Sequence, residues 1–338
     1  MGKTLTVILG AGASYDVIPS VHRGNTVKSS SYAPPLTRGL FEIDANVQKD
    51  ILSRYPAAQS AASYLRVEIA KGRDIEEILR EMRDSPERRI QEQMKEIPLY
   101  LQELFGRISE NYTDEPVNYN ILLDKTLISS MEHIMFITLN YDLLLEKALK
   151  MEGVVFNNVS DYIPSGRSWS LIKLHGSVNW GRKLLNTPNK GNDLSGLLDN
   201  IHQINIEEDL DGEITLDYSY LNRPHTSNHM YPALSVPVDG DYKLNCPSKH
   251  IEHLQLFLME CRNFLIIGVS GKDQDLLSLL AGVNNVNSVG IVGASSVSDI
   301  EEKILKSVGQ FQGKVRTYNK GFSDFITNDL DSFLSHLN

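Results

Sequence analysis

Short apolar runs, each ending in glycine or a small polar residue, recur along the chain. Leu5, Val7 and Ile8 lead into Gly10-Ala11-Gly12-Ala13-Ser14, and Ile134-Met135-Phe136-Ile137-Thr138 leads into Leu139-Asn140-Tyr141-Asp142. Leu171-Ile172-Lys173-Leu174 delivers His175-Gly176, Phe264 to Ile267 ends at Gly268-Val269-Ser270, and Val289 to Val292 ends at Gly293-Ala294-Ser295. Runs this short, dense in β-branched residues and without polar alternation, predict strands buried on both faces, as in a parallel sheet. Helical stripes follow several of them: Leu143-Leu144-Leu145 with Ala148-Leu149, and Ile300, Ile304 and Leu305. Val315 to Tyr318 predicts a final strand, and Phe322 to Leu337 a closing helix.

Between the first and second strands the pattern changes. Ile75, Ile78, Leu79 and Met82 fall at i, i+3, i+4 and i+7, and Ile97, Leu101, Leu104 and Ile108 form a second stripe. The charged run Glu81 to Glu96 reads as the solvated face of these helices. Before them, Pro34-Pro35 and the serines 29–31 mark a long loop, either an ordinary surface connection or a lid over a ligand. The expected fold is therefore α/β, a Rossmann-like parallel sheet with an inserted helical subdomain. Residues 1–35 and 132–338 form the core, and residues 36–131 the insert. Gly181 to Tyr231 is polar and irregular, with Ile204 and Ile206 before Asp211-Gly212, and Ile214, Leu216 and Tyr218 after it, predicting a hairpin.

Composition narrows the function. A formal net charge of −10 over 338 residues disfavours an extended nucleic-acid surface. Two cysteines, Cys246 and Cys261, give no disulfide framework and indicate a reducing compartment. No apolar run reaches the roughly 18 residues of a membrane span, so the expectation is a cytoplasmic protein with no membrane contact.

The candidate chemistry sits at the strand ends. Gly10 and Gly12 let backbone approach a ligand phosphate, with Ser14 adding a hydroxyl. Asn140 suits holding a ribose or a water, and Asp142 either orients a neighbour or caps the next helix. His175 has the side chain suited to proton transfer near neutrality. Ser270 and Ser295 offer small polar contacts to a ribose or phosphate.

Taken together, these segments resemble the sirtuin family, and more closely its bacterial, NAD-consuming branch. Gly10-Ala11-Gly12-Ala13-Ser14 is similar to the sirtuin Gly-Ala-Gly-x-Ser phosphate loop, and Thr138 to Asp142 to the Thr-Gln-Asn-Ile-Asp motif. Lys173-Leu174-His175-Gly176-Ser177-Val178-Asn179-Trp180 resembles the branch's form of the catalytic His-Gly segment. Pro34-Pro35-Leu36 with Leu40-Phe41, and Ile266 to Ser270 with Asp273 and Asp275, also resemble that branch. Gly268 and Ser270 match the sirtuin Gly-Thr-Ser position. The resemblance implies NAD as substrate, bound by Gly10, Ala11, Gly12, Ala13, Ser14, Gly268, Ser270 and Ser295, with His175, Asn140 and Asp142 at the reacting bond.

Two family features are missing. Deacylase sirtuins carry a four-cysteine zinc module after the His-Gly segment, and a Ser-Gly-Ile-Pro-Asp-Phe-Arg segment after the glycine loop. A substitute site from Cys246, His250, His253 and Cys261 would place Cys261 about 12 Å along a helix from His253. No metal site and no zinc are therefore expected. The expected activity is an NAD hydrolase that releases nicotinamide and ADP-ribose, with a role in antiphage defence implied by the resemblance. A protein deacylase and a non-catalytic NAD or ADP-ribose sensor are the alternatives. The expected partners are a second copy of the chain and a ring-forming HerA-type ATPase, with no direct contact to nucleic acid.

Overall fold

The predicted apolar runs lie side by side. The computed structural model describes residues 3–18, 33–42, 46–112, 115–129, 131–185, 194–205, 208–218, 230–237, 245–294, 297–308 and 310–337. Strands β1 (Thr4–Leu9), β2 (His133–Thr138), β3 (Trp169–Lys173), β7 (Asn263–Ile267), β8 (Asn284–Val292) and β9 (Gln310–Tyr318) form one sheet in the order β3-β2-β1-β7-β8-β9. Every pairing in it is parallel, with Ile8 opposite Ile137 on one side and Ile266 on the other. The chain steps outward from β1 in both directions, so the loops after β1 and β7 diverge. Open α/β sheets bind ligands in the crevice at such a switch point.

Both faces of this sheet are covered, which explains the continuous apolar runs. Leu5, Val7, Phe136, Leu171 and Leu265 face one core, shared with α6 (Val117–Leu127), α7 (Leu144–Met151), α12 (Phe322–Asn328) and α13 (Leu330–Ser335). Ile8, Met135, Ile172 and Ile266 face the other, shared with α9 (Ser248–Glu260), α10 (Gln274–Ala281) and α11 (Ser298–Ser307). The short α1 (Ala11–Tyr15) follows β1 directly.

A second body shares a third core. Helices α2 (Asn46–Leu52), α3 (Pro56–Ala70), α4 (Ile75–Arg83) and α5 (Arg88–Asn111) pack with Val178, Leu184, Leu210, Tyr231 and Leu234. Those five residues come from a small antiparallel sheet, β5-β4-β6, built from β4 (Gly176–Leu184), β5 (Leu210–Leu216) and β6 (Met230–Leu234). Helix α8 (Leu194–Asn200) lies between β4 and β5 in the chain. The insert thus packs on a sheet from the second half of the chain, while α6, inside the expected 36–131 unit, packs on the main sheet.

The stripes Ile75-Ile78-Leu79-Met82 and Ile97-Leu101-Leu104-Ile108 are buried. The charged run Glu81 to Glu96 is mostly exposed, as expected, but its last residue is buried. Glu96 accepts hydrogen bonds from the Ala57 and Ala58 amides (2.7 and 3.0 Å) at the start of α3. Glu103, farther along α5, takes the Tyr55 hydroxyl at 2.7 Å and pairs with Arg54 and Arg107. These carboxylates fasten α5 to its neighbours.

Three local expectations are corrected. Asp211-Gly212 lies inside β5, which pairs with β4, so the expected hairpin around that dipeptide does not form. Ile206 lies outside the described residues. The closing helix breaks at Asp329 into α12 and α13. Strands β8 and β9 begin well before their apolar ends, in polar stretches that carry no alternation signal.

One backbone position ties the two bodies together. Only Leu174 and His175 separate β3 of the main sheet from β4 of the small one. Gly176 makes the turn at φ +80°, where a Cβ would meet the Ala233 carbonyl oxygen at 2.0 Å. Gly72, at φ +87°, has open space around it. Gly72→Ala should cost only the left-handed strain, about 1–2 kcal/mol. Gly176→Ala adds a backbone collision and should cost roughly 3 kcal/mol or more. Urea denaturation of the two variants checks the difference; equal losses would contradict the close approach at Gly176.

Candidate active site

A cavity of about 430 Å³ opens at the switch point of the sheet. Its floor is the β1 and β7 loops, with Gly10, Ala11, Gly12, Ser14, Gly268, Val269 and Ser270. Asn140 to Asp142 and His175 enter from the ends of β2 and β3. Further wall is supplied by Pro34 and Pro35 and, from the insert, by Leu36 to Arg38, Leu40, Asp74 to Glu76 and Phe105. Pro34 and Pro35, at the end of the loop expected to fold over a ligand, line the cavity, while serines 29–31 lie outside the described residues.

The glycines are explained first by contact between the two loops. Gly10 N–H donates to the Ile267 carbonyl (2.9 Å) and Gly12 N–H to the Gly268 carbonyl (3.0 Å). A Cβ on Gly10 would lie 2.5 Å from the Gly268 oxygen, and one on Gly12 2.8 Å from the Gly268 Cα. Gly268 itself sits at φ +66°, with its missing Cβ 2.3 Å from Ala13 N. Two of the amides expected to face a phosphate are therefore spent on the β7 loop. What remains at the floor is a surface with almost no side chains, open to close approach by a flat or charged ligand.

Asn140 fixes this floor. Its Nδ2 donates to the Gly10 carbonyl (2.9 Å) and to Ser14 Oγ (3.0 Å). Ser14 Oγ also shares a hydrogen bond with the buried Tyr119 hydroxyl at 2.9 Å. The Ser14 hydroxyl, expected to face a phosphate, is thus engaged on its inner side. Asp142 Oδ1 accepts from the Leu144 amide (3.0 Å) at the start of α7, the capping alternative of the sequence reading. Its Oδ2 is buried close to Ser14. Burial pushes the Asp142 carboxyl above the usual range, although Lys173 and the Leu144 amide pull the other way.

His175 faces the cavity from the junction of the two sheets. Its Nε2 lies 3.0 Å from Asp273 Oδ2, and both side chains are mostly buried, at 13% and 16% exposure. The contact is an ion pair when the imidazole is protonated. Burial opposes the charged imidazolium, but Asp273, Asp275 and Glu76 outweigh it and raise the His175 pKa above its ordinary value. Asp273 is in turn held by α10, its Oδ1 accepting the Leu276 amide at 2.7 Å. Burial opposes the Asp273 carboxylate, while His175 and the helix amides hold its pKa low. In the sequence Asp273 and Asp275 follow the β7 loop with no signal that links them to His175, and Glu76 shows only its place in a helix.

The rest of the histidine motif is buried scaffold. The Lys173 ammonium is fully buried and joins the Asp142 carbonyl to Glu146 Oε1, the latter at 2.8 Å. Glu146 also accepts from Tyr162, which receives a hydrogen bond from Asn179; Asn179 in turn accepts from Ser177. Trp180 packs edge-on against Tyr162 and His250. Lys173, Ser177, Asn179 and Trp180 are therefore buried around His175 in the chain and do not line the cavity. Cys246, His250, His253 and Cys261 take separate surroundings: His250 bonds the Val159 carbonyl at 3.0 Å, His253 packs on His133, and Cys261 receives Thr6 Oγ1 at 3.1 Å. Ser270 lines the cavity, and Ser295 lies outside the described residues.

Glycine loop, Asn140 and His175 thus converge on one cavity at the sheet's switch point. Residues 134–297 match a SIR2-like domain. Solved structures similar to the whole chain include a Sir2 enzyme studied for mechanism and regulation, at 13% identity and TM-score 0.42, covering 99% of this chain and 92% of that one. A Sir2 homologue in complex with NAD is similar at 12% identity and TM-score 0.44, covering 99% and 90%. No curated protein matches the chain. The SIR2-like domain contains Asn140, His175, Asp273 and the β7 loop, but not the glycine loop of β1 or the insert.

Two outcomes test this geometry. Asp273→Asn should lower the His175 pKa, read as a downward shift of its imidazole titration by NMR; an unchanged midpoint would contradict the ion pair. Lys173→Met should cost about 3–5 kcal/mol because it strands the buried Glu146 carboxylate, and adding Glu146→Gln should recover part of that loss.

Proposed function

We propose that this protein is an NAD hydrolase that cleaves the nicotinamide–ribose bond to release nicotinamide and ADP-ribose. The observation that carries the reading is His175, set in the cavity beside Asp273 within a SIR2-like domain. The diphosphate would lie over the glycine floor, where small residues allow close approach. Distal binding energy would then orient the nicotinamide ribose. Cleavage moves positive charge from the nicotinamide ring onto the ribose as the neutral base leaves. Carboxylates at Asp273, Asp275 and Glu76, near His175, suit that charge. Neutral His175 would accept the proton of a water or a ribose hydroxyl, and Asn140 would keep the floor and the nucleophile in register.

The same reading carries the wider expectations: a cytoplasmic effector that depletes NAD in antiphage defence, assembled with further copies of itself and gated by a ring-forming HerA-type ATPase. Tyr64 and Val67, exposed one helical turn apart on α3, give the insert an apolar surface for such assembly. No helix among the described residues is long and apolar enough to cross a membrane.

Purified protein incubated with NAD should release nicotinamide and ADP-ribose, read by chromatography, and should keep doing so after chelation. An acyl-ADP-ribose product formed only with an acyl-lysine peptide would favour a deacylase; binding without any nicotinamide release would favour a sensor. His175→Ala and Asn140→Ala should each lower cleavage by at least about a hundredfold. Because the reactive His175 is neutral and its pKa is raised, activity should increase with pH through a midpoint above about 6.5. Asp273→Asn should move that limb to lower pH; a limb that does not move would remove His175 from the proton-transfer role.

A further inference from the structure

The cavity walls carry a charge imbalance that the proposed substrate must meet. Among the described lining residues, Asp74, Glu76, Asp142 and Asp273 are carboxylates, while Arg38 and Lys272 are the cations besides His175. A dinucleotide brings two negative phosphates into this acidic site, so it needs a cation close to the floor.

Lys272 is built for that position. It follows β7 by a tight turn in which Gly271 adopts φ +68° and the Lys272 amide approaches Ser270 Oγ at 3.4 Å. The backbone is thus anchored to the floor loop, while the side chain stays 44% exposed. Its ammonium reaches across the cavity to Asp74 Oδ2 on the insert. Asp74 has a second partner: its Oδ1 accepts the Glu76 amide at 3.0 Å and caps α4. When the lysine leaves, that carboxylate keeps its helix contact and the favourable end of the helix dipole. Partly exposed ion pairs of this kind contribute little stability, so exchanging the partner costs little.

We propose that Lys272 is the diphosphate-recognising cation of the cavity and that Asp74 is the partner a ligand phosphate displaces. Binding of a nucleoside-diphosphate ligand transfers the ammonium from Asp74 to phosphate and releases the start of α4 from the β7 loop. This rests on the NAD-hydrolase reading for the presence of a diphosphate, and goes beyond it in assigning the phosphate contact and its competitor.

The test is equilibrium binding of ADP-ribose and of adenosine, the second lacking phosphate, to wild type, Lys272→Met, Asp74→Asn and the double variant. Lys272→Met should weaken ADP-ribose binding at least about tenfold, the scale of one charged hydrogen bond. Adenosine binding should change far less. Asp74→Asn keeps a good helix cap and should tighten ADP-ribose binding about threefold, since the competing charge is gone. In the Lys272→Met background that gain should vanish. Equal ADP-ribose affinity of wild type and Lys272→Met would overturn the assignment while leaving the hydrolase reading intact. Parallel losses for ADP-ribose and adenosine would also overturn it, by showing a merely structural lysine. Failure of the wild type to bind ADP-ribose or cleave NAD would instead overturn the hydrolase reading itself.

Discussion

Gly12 and Gly268 meet backbone to backbone where the β1 and β7 loops part, and much of the site depends on that contact. Side chains at Gly10, Gly12 or Gly268 would collide with main chain, not with movable groups. With the loops closed on each other, Asn140 can reach both the Gly10 carbonyl and Ser14, and Tyr119 can lock Ser14 from behind. The floor is rigid because it is made of main chain, and open because it has almost no side chains. A sheet whose strand order reverses at this point supplies the crevice without further design.

Electrostatics divides the site into two levels. Below the floor, the buried Lys173 and Glu146 neutralise each other and tie the β2 loop to the β3 end. Above it, carboxylates outnumber cations, and the excess raises the His175 pKa. A histidine held this way sits in negative potential, which favours positive charge developing beside it. The same potential penalises a diphosphate, so local cations at the rim matter more than the overall charge of −10.

The insert is part of the site as well as an appendage. Its α4 end contributes Asp74 and Glu76 to the cavity wall, and its helices share a core with the small sheet that begins one residue after His175. Movement of the insert would therefore be felt at both the wall and the histidine.

The sequence by itself determined the parallel sheet, because the middle of a strand covered on both faces is mostly apolar, and the runs at the ends of β1, β2, β3, β7 and β8 are. It also marked Asn140, His175 and the glycine loop, since polar or small residues that end such runs collect on one edge of the sheet. Only the tertiary structure decided which of them face the cavity. Lys173, Ser177, Asn179 and Trp180 lie in the same motif as His175, yet pack beneath it. Ser14 and the Gly10 and Gly12 amides looked free in one dimension and are engaged in three. The pairing of His175 with Asp273 spans nearly a hundred residues, and Asp74 reaches Lys272 over twice that. Periodicity reports which face a residue occupies within its own element; which distant charge stands opposite is set by how the sheets and the insert pack.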